Sequence, residues 1–301
     1  MKTAWVFPGQ GSQVLGMGVD LLAIDSAKTT FNRATEILGW SLVDICQNDE
    51  VKLANTRYTQ PCLYVIESIL VDLLKQRGLT PDVVAGHSLG EYVALYAAGV
   101  FDFETGLQLV KRRAELMDLA SEGGMTALIG FDRVQLEAAI ADTEDVVLAN
   151  DNSTAQVVIS GMAAGITALL AKIKVKRAIP LNVSGAFHSP LMGTAATEFG
   201  KLLAPVTFYD AQIPVLSNVS SIATTNGSEL KEYLNRQITG AVRWREISLQ
   251  LAELGIQQAI EVGPGKVLGG LIKRTCEGIS VAQVGTRSDL ESILPNVNSV
   301  T

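Results

Sequence analysis

Asp82-Val83-Val84-Ala85-Gly86-His87-Ser88-Leu89-Gly90 is the stretch that decides how this chain is built. Its first four residues, led in by Pro81, read as a short buried strand. A helix runs from about Leu89 to Ala98 and is stopped by Gly99. Between them Gly86-His87-Ser88-Leu89-Gly90 is a G-x-S-x-G turn in the strand–turn–helix setting that a nucleophile elbow requires. Gly86 and Gly90 leave room where a β-carbon would obstruct the close passage of strand and helix. Ser88 is then lifted on a tight turn at the carboxyl end of the sheet. The helix start at Leu89 aims free N–H groups and a positive dipole end at any charge developing beside it. The competing reading is a glycine-rich turn with an idle serine, and the flanking strand and helix weigh against it.

Working outward, Thr3–Phe7 is an apolar strand ending in Pro8-Gly9-Gln10-Gly11-Ser12-Gln13. Pro61 is expected to open a helix with Leu63, Ile66, Leu70 and Leu74 at helical spacing, ended by Gly78. Asp102 is placed to cap a helix carrying Leu109, Arg113 and Met117 at i, i+4 and i+8. Ala259–Val262 is another buried strand, followed by the turn Gly263-Pro264-Gly265 and the helix Val267–Thr275. Strands alternating with helices predict an α/β fold: a serine-hydrolase-like domain on a mainly parallel sheet covered on both faces.

The middle departs from that rhythm. Met125–Ile129 reads as strand, Asp132–Ala141 as helix, Val146–Asn150 and Gln156–Ser160 as strands, Met162–Lys174 as helix and Arg177–Leu181 as strand. This order, βαββαβ, is ferredoxin-like. Gly123-Gly124 and the stretch around Ser184-Gly185 are suited to hinges. Residues 1–122 and 188–301 are therefore expected to form a large catalytic domain, with 123–187 inserted as a small subdomain across a cleft. Apart from a short polar tail after Leu294, no repeat or low-complexity segment interrupts the chain.

Bulk composition bounds the chemistry. With 48% hydrophobic residues, the 301-residue chain can fill a substantial core, yet no apolar run approaches the roughly 18 residues of a membrane span. The opening Met1–Pro8 is too short and turn-like for a signal peptide, so a cytoplasmic location is expected. Cys46, Cys62 and Cys276 are scattered and outside any CxxC pair, which fits core filler in a reducing compartment and neither a disulfide framework nor a metal site. A net charge of −7 argues against nonspecific nucleic-acid binding, though a local basic patch could still receive an acidic partner. Nothing demands more than a monomer. Neither the Gly9–Gly11 turn nor Gly263-Pro264-Gly265-Lys266 fits a dinucleotide fingerprint or a P-loop, so no bound cofactor is expected.

A serine hydroxyl needs a general base, and the chain has two histidines. His87 sits inside the elbow with its side chain expected on the far side of the turn. His188, in Gly185-Ala186-Phe187-His188-Ser189-Pro190, is the remaining imidazole. What orients it is open: Asp142, Asp145 and Asp151 are available acids, and a backbone carbonyl could serve a neutral imidazole as well. The turn after Phe7 could supply an oxyanion-hole N–H or be an ordinary strand end. Arg113, on an apolar stripe, is a structural ion pair, a surface arginine snorkelling to water, or a fork gripping a substrate carboxylate.

These residues resemble the malonyl-CoA:acyl-carrier-protein transacylases and the related acyltransferase domains of polyketide synthases. The likeness rests on five ordered motifs between about Thr3 and Arg287: VFPGQGSQ (Val6–Gln13), TQPCLYV (Thr59–Val65), GHSLGEY (Gly86–Tyr92), GAFHSPLM (Gly185–Met192) and EVGPGKVL (Glu261–Leu268). The resemblance implies Ser88 as acylated nucleophile and His188 as base. It implies an oxyanion hole from the backbone N–H groups of Gln10 and Leu89, and Arg113 as binder of the malonyl carboxylate. It further implies that the backbone carbonyl of Gln237 orients the histidine, and that Phe187 marks the malonyl-selecting form of its loop. The implied substrates are malonyl-CoA and phosphopantetheinyl acyl-carrier protein, exchanged by a ping-pong route that supplies fatty-acid synthesis. Lys172, Lys174, Lys176 and Arg177, or Lys273 and Arg274, could dock the carrier. The alternatives are a serine esterase or thioesterase on the same elbow, a non-catalytic acyl-binding module, or malonyl loading of a polyketide carrier.

Overall fold

The computed structural model describes residues 1–293, and the polar tail after Leu294 lies outside the described residues. The strands in chain order are β1 (Thr3–Phe7), β2 (Val83–Gly86), β3 (Gly124–Phe131), β4 (Val146–Ser153), β5 (Gln156–Gly161), β6 (Val175–Pro180), β7 (Val215–Leu216), β8 (Ala223–Thr224), β9 (Gln258–Val262) and β10 (Ser280–Val284). They form two sheets.

The larger runs β10-β9-β1-β2-β7-β8 and is parallel except for the β7–β8 pair. Its inner strands are mostly apolar and almost wholly buried because both faces are covered. Successive side chains of β1 point to opposite faces, so Trp5 and Phe7 join one core cluster while Ala4 and Val6 join another. The first cluster is filled by the helices Thr56–Gln76, Gly90–Ala97 and Phe103–Leu119, the second by Trp244–Glu253 and Val267–Thr275. Cys46, Cys62 and Cys276 are buried free thiols.

Most boundaries lie within three residues of the sequence reading, and the one that departs furthest is the start of the long helix. The long helix begins at Thr56, not at Pro61, and Asn55 caps it by accepting from Arg57 N–H at 2.9 Å. Pro61 lies in the second turn, where its missing N–H costs only the rung to the carbonyl of the exposed Arg57. An asparagine cap is a stronger start signal than proline when both are present. Asp102 caps the Phe103–Leu119 helix as expected, accepting from Thr105 N–H at 2.8 Å.

The smaller sheet, ordered β4-β5-β3-β6, is antiparallel throughout and carries the helices Arg133–Ala141 and Ala163–Lys172. That is the βαββαβ element order read from the sequence, with the helices packed on one face through Leu128, Leu136, Val157 and Leu169. The other face contributes Met125, Ala127, Ala149 and Val158 to the main core. The smaller sheet is tied at β4 to the segment that leads into the Trp244–Glu253 helix: Asp151 N–H donates to the Val242 carbonyl at 2.9 Å and Val242 N–H to the Ala149 carbonyl at 2.8 Å. Among the described residues no helix is long and apolar enough to cross a membrane.

Candidate active site

The turn after β2 has the geometry its glycines foretell. A β-carbon on Gly86 would overlap the Gly90 peptide, and one on Gly90 would overlap the Phe7 carbonyl at the end of β1. Only glycine lets strand, turn and helix pass this closely. Ser88 occupies the left-handed region at φ 52°, a conformation a non-glycine residue holds only when its surroundings impose it.

One hundred residues along, His188 meets that serine. Ser88 Oγ and His188 Nε2 are 2.7 Å apart, and His188 is itself at φ 56°. The imidazole Nδ1 lies 3.0 Å from the Gln237 carbonyl and 3.0 Å from the Gly240 carbonyl. Both neighbours can only accept, so Nδ1 carries the proton and Nε2 is free to take the one on Ser88. Burial, with the positive charge of Arg113 adding to it, pushes the His188 pKa down to about 3, so the ring is neutral at physiological pH.

Among the described residues no acid orients the ring. Asp142 pairs with Lys172 at 2.8 Å, Asp145 is exposed, and Asp151 is held by Arg133 at 2.7 Å and Arg245 at 2.9 Å. Asp142 and Asp151 are thus committed to other partners, and Asp145 faces solvent. The Gln237 carbonyl is where the resemblance puts it, and that of Gly240 is a second acceptor with no signal in the sequence. His87 points away from the catalytic pair and meets Asn152 Oδ1 through Nε2 at 2.8 Å.

Arg113 is fully buried on the Phe103–Leu119 helix. Its Nη1 donates to Gln60 Oε1 at 2.7 Å, and its Nη2 to Ser88 Oγ at 3.0 Å and Gln237 Oε1 at 3.1 Å. Its Nε has no partner, and among the described residues no carboxylate pairs with the guanidinium. The structural ion pair weighed from the sequence is therefore absent there. A buried charge bonded only to neutral oxygens is unusual, since burial ordinarily demands a counter-charge. An anion entering the cleft would supply it.

The cleft itself is a cavity of about 70 Å³ lined by Gln10, Ser88, Leu89, Arg113, Phe187 and His188 among others. That is room for a short acyl group. Gly9 abuts the elbow, since a β-carbon there would overlap the His87 carbonyl and reach within 3.7 Å of Leu89 N. Gln10 is fixed by a 3.0 Å bond from its Nε2 to Thr56 Oγ1. Ser88 N–H is taken by Asn218 Oδ1 at 2.7 Å, whereas the Gln10 and Leu89 N–H groups donate to no protein atom among the described residues. Among the basic residues considered for docking, Lys176 and Arg177 are exposed on the edge strand β6, and Lys273 and Arg274 are exposed at the end of the Val267–Thr275 helix.

Sequence reasoning missed roles for Gln60, Glu91 and Asn218. The first two sit inside recognised motifs, but the signal there marks a region and not a contact.

The acyl transferase domain family matches residues 4–292. A malonyl CoA-acyl carrier protein transacylase of Synechocystis is 59% identical over 97% of this chain and 100% of its own length. A polyketide biosynthesis malonyl CoA-acyl carrier protein transacylase of Bacillus subtilis is 44% identical over 90% of this chain and 96% of its own. The crystal structure of the Synechocystis protein covers 97% of this chain and 100% of its own, with a TM-score of 0.96. A malonyl-transacylase solved in complex with a type II polyketide synthase acyl-carrier protein is 36% identical, covering 98% of this chain and 100% of its own at a TM-score of 0.93.

Proposed function

The chain belongs to the acyl transferase domain family, and on that premise we propose that it moves a malonyl group from coenzyme A to acyl-carrier protein through an ester on Ser88. The observation that carries the reading is the 2.7 Å contact between Ser88 Oγ and His188 Nε2 beside a buried guanidinium hydrogen-bonded only to neutral oxygens. In the first step His188 Nε2 takes the hydroxyl proton and Ser88 Oγ attacks the thioester carbonyl. The oxyanion rests between the N–H groups of Gln10 and Leu89. Its collapse breaks the C–S bond, and coenzyme A leaves with the proton from His188. In the second step the pantetheine thiol of the carrier gives its proton to His188, the sulfur attacks the malonyl ester, and Ser88 leaves as the hydroxyl. Arg113 holds the malonyl carboxylate throughout, and Phe187 narrows the pocket against branched acyl groups.

The acceptor thiol, with a reference pKa of about 8.5 against 15.7 for water, asks less of the same imidazole, which supports transfer over hydrolysis. Residues 1–122 and 188–301 act as the catalytic domain, with 123–187 as the subdomain roofing the cleft. The reaction is assigned to the cytoplasm and to fatty-acid synthesis, by a monomer, with the exposed Lys176 and Arg177 on β6 facing the acidic carrier.

Mass spectrometry after brief exposure to malonyl-CoA tests the reading. We expect a malonyl adduct on Ser88 that persists without carrier and is discharged when carrier is added. Rapid loss of the adduct to water alone would instead make the protein a thioesterase, and no adduct would make it a binding module.

A further inference from the structure

Val84 pairs with Val215 and Ala85 with Leu216 in parallel register, and the same register continued places Asn218 opposite His87. In a parallel ladder the residue facing His87 donates its N–H to the Gly86 carbonyl and accepts from Ser88 N–H. The main chain at 218 makes neither bond. Its N–H donates to Glu91 Oε2 at 3.2 Å, and its carbonyl accepts from Arg243 N–H at 3.1 Å. The Asn218 side chain makes both instead: Nδ2 donates to the Gly86 carbonyl at 2.6 Å and Oδ1 accepts from Ser88 N–H at 2.7 Å. A carboxamide presents the same donor and acceptor as a peptide unit, so the ladder runs one rung past the end of β7 and stops at the nucleophile.

The other side of the Ser88 peptide is held as well. Gln237 Nε2 donates to the Ser88 carbonyl at 2.8 Å and to Glu91 Oε2 at 2.7 Å, while Ser217 Oγ donates to Glu91 Oε1. Asn218 is fully buried, so its carboxamide has no water to exchange with.

We propose that Asn218 is a positioning residue for acyl transfer, its carboxamide acting as the missing strand rung that holds Ser88 in its left-handed conformation and consumes the Ser88 N–H. The elbow is thereby left with the next N–H, that of Leu89, to meet the oxyanion, and with Oγ aimed at His188. This inference rests on the reading of Ser88 as the acylated residue.

The test compares the full-length protein with Asn218→Ala and Asn218→Asp in malonyl transfer to carrier protein. Near pH 8 each variant should lower kcat by roughly 10- to 100-fold, with the malonyl-CoA KM within about twofold, as for a group acting on the transition state alone. An ionised aspartate puts an acceptor against the Gly86 carbonyl, whereas a protonated one donates to it as the amide does. Asn218→Asp should therefore recover about tenfold relative to the unsubstituted protein as pH falls from about 8 to 5, and Asn218→Ala should not. Glu91 on the elbow helix, Arg113 on the Phe103–Leu119 helix, His87, His188 and Arg243 surround the same spot. They are the same in all three proteins, so the ratio isolates the introduced carboxyl.

Wild-type transfer by Asn218→Ala would overturn the proposal. So would a profile of Asn218→Asp parallel to that of the unsubstituted protein, whatever its melting temperature, or an effect confined to KM. If Asn218→Ala does not fold, the Asn218→Asp profile decides alone. A malonyl adduct persisting in Ser88→Ala would overturn the parent reading instead.

Discussion

Replacing Arg113 by alanine separates two roles that the geometry allows it. Its Nη2 lies 3.0 Å from Ser88 Oγ, so the guanidinium could merely hold the nucleophile, or it could recognise the substrate carboxylate. Hydrogen bonds involving a charged group contribute about 1.5–3 kcal/mol each, so a two-pronged grip is worth about 3–6 kcal/mol. Binding a carboxylate exchanges the existing neutral bonds to Gln60, Gln237 and Ser88, which moves the net toward the lower end. At 1.4 kcal/mol per decade, malonyl transfer should fall about 100-fold. Acetyl transfer should stay within a few-fold, because an acetyl group leaves the buried charge unpaired in the parent protein. The assay is transfer from malonyl-CoA and acetyl-CoA in parallel, scored as the ratio of kcat/KM values. Arg113→Lys, which keeps the charge and loses the planar fork, should fall between. A malonyl/acetyl ratio unchanged in Arg113→Ala, with both rates lowered together, would refute carboxylate recognition and leave only the contact to Ser88.

With His188 held neutral down to about pH 3, the acylation rate should stay flat through pH 6.5, where an ordinary histidine titrates, and fall only at much lower pH. Arg113→Ala removes a depressing charge, so rapid-quench profiles of that variant should show the acid limb at higher pH. The unfolded chain takes a proton on His188 near pH 6.5 that the folded one refuses, so this residue's contribution to stability is lost as pH falls below that value. Glu67 is fully buried with both carboxylate oxygens unpartnered, and burial with the nearby Glu261 charge pushes its pKa well up. Folding therefore retains a proton that the unfolded chain sheds above pH 4.5, costing up to about 1.4 kcal/mol per pH unit as pH rises. Glu67→Leu should raise the melting temperature, by more at pH 8 than at pH 5; an equal gain at both would show that Glu67 is not held protonated. Gly86→Ala should yield insoluble or unfolded protein, since its methyl would overlap the Gly90 peptide. Soluble expression with a wild-type melting curve would contradict the close packing of the elbow.

Several elements were legible because their causes are local. The elbow is written in two glycines and a valine-rich strand, and the βαββαβ insertion in alternating periods. Where two local signals competed, at Asn55 and Pro61, the weaker one was the more conspicuous in the sequence. The orienting group of His188 was illegible from its own neighbourhood because a carbonyl has no side-chain signature; only the resemblance pointed to Gln237. Gln60 was equally silent, since a glutamine in a helix looks the same whether it faces water or a guanidinium.

By itself, then, the sequence determined the order and type of the elements, the serine on its turn and the imidazole that had to serve it. Periodicity, caps and glycine requirements act over a few residues and leave their mark there. The tertiary structure decided that Ser88 and His188 touch across one hundred residues, that Arg113 is buried with no carboxylate in contact among the described residues, and that Asn218 reaches the elbow. Those facts follow from strand order and sheet register, which are set by burying two cores at once and so belong to no single stretch of chain.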